Sequence, residues 1–146
     1  MKGLILIGLT VLCVACFEQG DCSDVSGNVM QVNFFRFSDK RAIGRELDSV
    51  KLIGWDSVMY AGDSVSTISL PVNPAVDELR YVLYYKEAQI DTLHIKYQFQ
   101  TFALAPECEA IDVIVLHLAS AKKLPDVVIS QPKITNSVVE NIKLYF

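Results

Sequence analysis

Between Ile90 and Phe99 the chain alternates without a break. Leu93, Ile95, Tyr97 and Phe99 hold one set of positions, and Thr92, His94, Lys96 and Gln98 hold the other. A strand points successive side chains to opposite faces, so this period of two makes a ribbon with one apolar face and one polar face. A helix would spread the same residues around its whole circumference. The stretch therefore demands a half-buried antiparallel strand and a second layer to cover its apolar side.

Other segments agree. Val29 to Phe37 is rich in aromatic and β-branched residues, and Ile111-Asp-Val-Ile-Val-Leu-His-Leu118 is apolar on both faces, as a central strand would be. Arg80–Tyr85, Val127–Ile129 and Asn141–Phe146 complete the set of strand candidates. No capped stretch of helical period occurs; one short helical turn is expected near Lys40–Arg45. Three near-repeats, Asp48-Ser-Val, Asp56-Ser-Val and Asp63-Ser-Val, are spaced by eight and seven residues, close to hairpin spacing. Asp and Ser bond back to local backbone, so the repeats read as turns from which Val starts a strand, with Gly54 and Gly62 where the chain reverses. A calcium loop would need tighter alternation of acids. The expected fold is all-β: a two-layer antiparallel β-sandwich, immunoglobulin-like, with about seven to nine short strands. A small barrel is the alternative.

At 146 residues, with 51% hydrophobic and 21% charged side chains, the chain can bury a core and is one domain in size. Its amino terminus has a different character. Lys2, a short apolar run and small Ala15 before Cys16 form the layout of a secretory signal, and the run is too short to span a bilayer. Ala15-Cys16 resembles the bacterial lipobox, in which the cysteine is acylated on sulfur and becomes the new amino terminus. The usual Leu three positions earlier is here Cys13, with Leu12 one further back. Cys13 cannot itself take the lipid, because Leu12 is too large for the position beside the cut. The expected organisation is a signal peptide over 1–15, a lipidated tether over 16–27 and a β-sandwich domain over 28–146. Acyl chains contribute about 0.8 kcal/mol per buried methylene, so Cys16 would anchor the protein firmly to a membrane.

Removal of the signal leaves two thiols, Cys22 and Cys108. An even pair in an oxidising compartment reads as a disulfide, for which chain entropy gives a stabilisation on the order of 4–5 kcal/mol. Two unpaired cysteines are the alternative; no ligand spacing accompanies them that would suggest a metal. Without Lys2 the chain carries 12 basic and 17 acidic groups, net −5, which excludes the clustered positive charge of a nucleic-acid binder. The basic cluster Arg36, Lys40, Arg41 and Arg45 reads as a solvated turn with no interleaved aromatic platform.

No catalytic constellation emerges. His94 sits on the polar face of its strand, and His117 falls in register with Ile111, Val113 and Val115, as a core or sheet-end histidine would. There is no Gly-x-Ser-x-Gly elbow, no phosphate-binding glycine pattern and no paired histidines. Trp55, Tyr60, Tyr81, Tyr84 and Tyr85 are candidates for a sugar- or peptide-binding face, although aromatic strand residues usually fill cores. Tyr84 and Tyr85 are adjacent, so one of them must face outward.

Leu70-Pro-Val-Asn-Pro74, the strand Asp91-Thr-Leu-His-Ile-Lys-Tyr97, Pro106-Glu-Cys108 and the closing Ile134-Thr-Asn with Asn141–Phe146 resemble a family of small lipoproteins from Bacteroidetes-type bacteria, catalogued only as a domain of unknown function. The resemblance covers nearly the whole chain. It implies a lipidated amino terminus, an early and a late cysteine matching Cys22 and Cys108, and an all-β body, but brings no catalytic residues. Family members often carry Gly after the late cysteine, where this chain has Glu109.

The sequence thus leads to a non-enzymatic envelope lipoprotein without cofactor, bound to a membrane through Cys16, with an envelope protein as partner. Its expected place is the outer membrane facing the periplasm, since no acidic run follows Phe17. A carbohydrate- or peptide-binding module is the alternative, followed by a periplasmic enzyme built on His94 or His117.

Overall fold

The structure is a computed structural model that describes residues 27–55, 58–60, 64–86, 88–103, 110–135 and 139–146. Eleven strands follow one another: β1 (Val29–Phe35), β2 (Arg45–Leu52), β3 (Val58–Tyr60), β4 (Ser64–Val65), β5 (Thr67–Pro71), β6 (Glu78–Tyr85), β7 (Ile90–Ala103), β8 (Ala110–Ala121), β9 (Asp126–Ile129), β10 (Lys133–Ile134) and β11 (Glu140–Tyr145). They make two sheets. The smaller has the order β5-β1-β11-β9; the larger runs β10-β8-β7-β6-β2-β3, with β4 pairing β2 beside β3. The all-β expectation holds, and the count exceeds the expected range because β3, β4 and β10 are only three, two and two residues long. Such short edge strands present little unpaired backbone to another chain.

The two sheets share one core. Met30, Val32, Phe34, Ile68, Leu70, Ile142 and Leu144 from the smaller sheet meet Leu47, Val50, Tyr81, Leu83, Leu93, Ile95 and Ile134 from the larger. Alternation in β7 works as read: Leu93, Ile95 and Tyr97 are buried, while Thr92, His94 and Lys96 face outward. Beyond Tyr97 the ribbon runs past the second layer, and Phe99 is exposed.

Several local expectations are corrected. Pairing is antiparallel except between β1 and β11, which run parallel. Asp48-Ser-Val lies inside β2 and is no turn; the register with β6 slips between Leu47 and Ser49, so Asp48 is the extra residue of a bulge. Asp56 and Asp63 lie outside the described residues, but Val58 does begin β3, and Ser64-Val65 is β4. Gly54 has φ +91° in the turn after β2, a conformation that favours glycine. Residues 40–45 do not form a helical turn. The reversal comes earlier, at 37–39, where the Lys40 N–H donates to the Arg36 carbonyl at 2.9 Å.

Candidate functional site

The residues expected to be cleaved, lipidated or bridged, Cys13, Cys16, Cys22 and Cys108, lie outside the described residues. Attention falls on the two ends of the sandwich and on the histidines.

One end begins at Asn28. After β2 the chain turns at Gly54, the Trp55 N–H donates to the Leu52 carbonyl at 3.1 Å, and the indole is left 55% exposed. The facing wall is the Leu70-Pro-Val-Asn-Pro74 segment. The Val72 N–H donates to the Asn28 carbonyl at 2.6 Å, and Asn73 Oδ1 accepts the Ala75 N–H at 2.9 Å, forming a side-chain-closed turn. Two core tyrosines fasten this wall from beneath: the Tyr97 hydroxyl donates to the Asn73 carbonyl at 2.8 Å, and the Tyr81 hydroxyl donates to the Pro71 carbonyl. Burial raises the pKa of both, and Tyr97, with Asp77 adding its charge, is pushed up to about 12. Both therefore stay protonated donors. The result is a cleft of about 280 Å³ lined by Asn28, Leu52, Trp55 and the Pro71–Pro74 segment. An exposed indole beside rigid proline surface suits flat apolar or sugar-like faces.

The other aromatic candidates do not extend this surface. Tyr81 and Tyr85 are core residues and Tyr84 is half-buried, so one of the adjacent pair does face outward; the Tyr60 side chain lies outside the description. Trp55 stands without a neighbouring strip among the described tyrosines.

His94 lies on the outer face of β7, with Nε2 3.3 Å from Glu78 Oε2. Arg80 and Lys96 hold the same carboxylate at 3.2 and 3.5 Å, and the Glu78 pKa is lowered, chiefly by the His94 hydrogen bond. This is a cross-strand ion cluster on an open face. His117 is corrected: it is exposed. Lys96 pairs Leu118 and Tyr97 pairs Leu116, which makes His117 the extra residue of a bulge and takes it off the face of its apolar neighbours. Among the described residues, no three of His, Cys, Asp and Glu gather as metal ligands, and no helix is long and apolar enough to cross a membrane.

At the opposite end the basic cluster is the solvated turn that was expected, with Arg36, Lys40 and Arg41 exposed, but the reading that it lacks an aromatic platform is corrected. The turn exists, closed by Arg36 N–H to the Arg41 carbonyl at 2.8 Å and by an Arg36–Asp39 ion pair at 3.0 Å. The aromatic platform is also there, supplied by Phe37 within the turn and by distant segments. Lys40 Nζ lies 4.0 Å from the Phe37 ring centre and 4.1 Å from that of Tyr145. The Arg45 guanidinium lies 4.5 Å from the Phe146 ring and 5.4 Å from that of Tyr85, and those two rings meet edge to face. Nothing in the local sequence joins Arg45 to residues 40 and 101 positions away; pairing of β2 with β6 brings Tyr85 and packing of one sheet on the other brings Phe146.

Residues 47–146 match the model of a family described as a family of unknown function (DUF6452). No curated protein and no solved structure matches the chain.

Proposed function

From the premise that the chain belongs to DUF6452, we propose that it is a lipid-anchored protein of the bacterial cell envelope whose β-sheet body has a non-enzymatic binding or structural role. The observation that carries this is the amino-terminal layout: one Lys, a short apolar run and Ala15 directly before Cys16. The first described strand begins at Val29, thirteen residues past Cys16, so a lipid there would hold the domain on a short leash. The family match begins at residue 47, within the body. A Cys16→Ser variant should leave the membrane fraction or accumulate as precursor. The same variant found in membranes at mature size overturns the anchor.

The Cys22–Cys108 bridge belongs to the same proposal. Support comes from topology: Asn28 lies at the end of the body towards which β7 and β8 continue past Tyr97 and Leu116, and Cys108 falls in the connection between those two strands.

A second reading, a carbohydrate- or peptide-binding module, is favoured by one observation, the exposed Trp55 beside its cleft. Trp55 is the single tryptophan of the chain, so intrinsic fluorescence reports this cleft alone. Saturable quenching or a blue shift with glycan fragments or short peptides supports the reading; an unchanged spectrum across both sets removes it.

A further inference from the structure

We propose that the end of the sandwich carrying Trp55 rests against a zwitterionic lipid bilayer, with Trp55, Ile53 and Phe99 entering its interfacial zone. The proposal rests on the Cys16 anchor, and it gives Trp55 to lipid where a binding module would give it to a sugar or peptide.

Large apolar side chains stand out of the body most clearly at this end. Ile53 is 57% exposed and Trp55 55%, the two highest values among such residues described, and Val29, Val76 and Phe99 lie between 40% and 44%. Each is tied to the wall of the Trp55 cleft. Ile53 and Trp55 flank Gly54 in the turn after β2, and Val29 pairs Pro71. The Val76 N–H donates to the Asn73 carbonyl at 3.4 Å, and Phe99 lies two residues past Tyr97, whose hydroxyl holds that same carbonyl. Single exposed apolar residues are ordinary on any protein, whereas a group gathered at one end marks a contact surface. The opposite end differs. Its exposed Phe37 carries Lys40 Nζ 4.0 Å from the ring centre, with Arg36, Asp39 and Arg41 in the same turn.

What lies against the apolar end follows from where the chain enters the body. It enters at Asn28, which lines the Trp55 cleft. Val29 is thirteen residues past Cys16, and an extended chain spans at most about 3.3–3.6 Å per residue, so a lipid on Cys16 keeps this end within about 45 Å of the bilayer. The opposite end is held only through the body. An indole prefers the headgroup level of a membrane, ring towards the hydrocarbon and N–H in water, and interfacial binding grows with the apolar area buried. Lipid requires no fixed hydrogen-bond pattern, and the cleft wall keeps little of one free: the Pro71 and Asn73 carbonyls accept from Tyr81 and Tyr97, and Asn73 Oδ1 accepts the Ala75 N–H. Charge selects the headgroup. Asp77 follows Val76, and Glu78 lines a recess with Ile53, so both would repel anionic lipid; a neutral, zwitterionic headgroup fits.

Trp55 is the only tryptophan of the chain, so its emission reads this end. The lipidated full chain is reconstituted into phosphatidylcholine vesicles, with or without bromine on the upper acyl carbons, and is separately challenged with acrylamide from the water. The protein should float with the vesicles, lose most of its emission to the brominated lipid and lose little to acrylamide. Ile53→Asp, a change at an exposed position that leaves folding intact, should still float but escape the brominated lipid and become open to acrylamide. A floating protein whose Trp55 is open to acrylamide and untouched by bromine overturns the proposal and leaves the anchor standing. Protection from both quenchers also overturns it, because protein or glycan would then cover Trp55. Equal bromine quenching in Ile53→Asp does the same, since Trp55 would reach lipid without this surface. A chain that fails to float overturns the anchor, and the proposal with it.

Discussion

The side-chain carbonyl of Asn141 accepts the backbone N–H of Gln31 at 2.9 Å, across the one parallel pairing of the fold. Gln31 pairs Glu140 and Val32 pairs Ile142, so Asn141 is the extra residue of β11 at that register shift, and its side chain supplies the acceptor that the ladder lost there. Its amide donates to the carbonyls of Gln131 and Lys133 at 3.1 and 3.2 Å, where the chain crosses from β9 in one sheet to β10 in the other. One buried residue thus joins the two layers.

Asn141→Ala should accordingly cost about 1–3 kcal/mol, because it strands one N–H and two carbonyls together at a part-buried site. Urea unfolding measures it through the midpoint. Asn141→Asp keeps the acceptor but loses both donors, and should be nearly as damaging. A loss below about 0.5 kcal/mol in both variants would show that the crossover is held by its backbone alone.

Asp91 is the other buried polar anchor, 2% exposed. Its carboxylate accepts the Thr92 and Lys122 amides through Oδ1 at 2.7 and 3.0 Å and the Lys123 amide through Oδ2 at 3.0 Å, which fixes the connection leaving β8. Asp91→Asn turns one acceptor into a donor facing an N–H, so a loss of about 2–3 kcal/mol is expected. Hydrogen exchange at Lys122 and Lys123 should speed up well before that of core β7 amides. Equal protection in both forms would show that the loop is held by other contacts.

Neither anchor was legible as such. Asp91 and Asn141 read as ordinary polar residues opening strands, because their partners lie 32 and 110 positions away at most. What period and β-branching revealed was the interior of the long strands, since alternation of burial is local: β1, β6, β7, β9 and β11 stand close to where they were expected. The bulges at Asp48 and His117 were invisible because a bulge is a relation between two strands. That is why Asp48-Ser-Val looked like a turn and His117 like a core residue. The Arg45 end was missed for the same reason: its aromatic partners arrive from β6 and from Phe146, beyond the end of β11.

Tyr97 gives the protein an alkaline limit. Burial first, and the Asp77 charge second, raise its pKa from 10.0 to about 12. A raised pKa means the folded state keeps the proton that the unfolded chain loses, so the contribution is complete below pH 10 and fades as pH climbs to about 12. Burial pushes Tyr81 and Tyr85 in the same direction. Unfolding midpoints should stay flat from neutral pH to about 10 and then fall. Tyr97→Phe should start lower, having lost the bond to Asn73, and fall less steeply. Parallel curves for the two proteins would mean that Tyr97 does not set the slope.

The proposed Cys22–Cys108 bridge makes its own numerical demand. The loop it closes is long, and long loops are where cross-linking removes the most chain entropy, on the order of 4–5 kcal/mol when native geometry is unstrained. β7 and β8, whose connection carries Cys108 in the sequence, run past Tyr97 and leave Phe99 exposed, so a tie to the tether would restrain this pair of strands. Protein matured in an oxidising envelope, unfolded without reductant, should show no titratable thiol once Cys16 carries its lipid. Cys22→Ser and Cys108→Ser should each lower the unfolding midpoint by the same amount, and the double variant by no more than either alone, since both break one bond. Two free sulfhydryls in the unreduced protein, or additive losses in the double variant, would rule the bridge out.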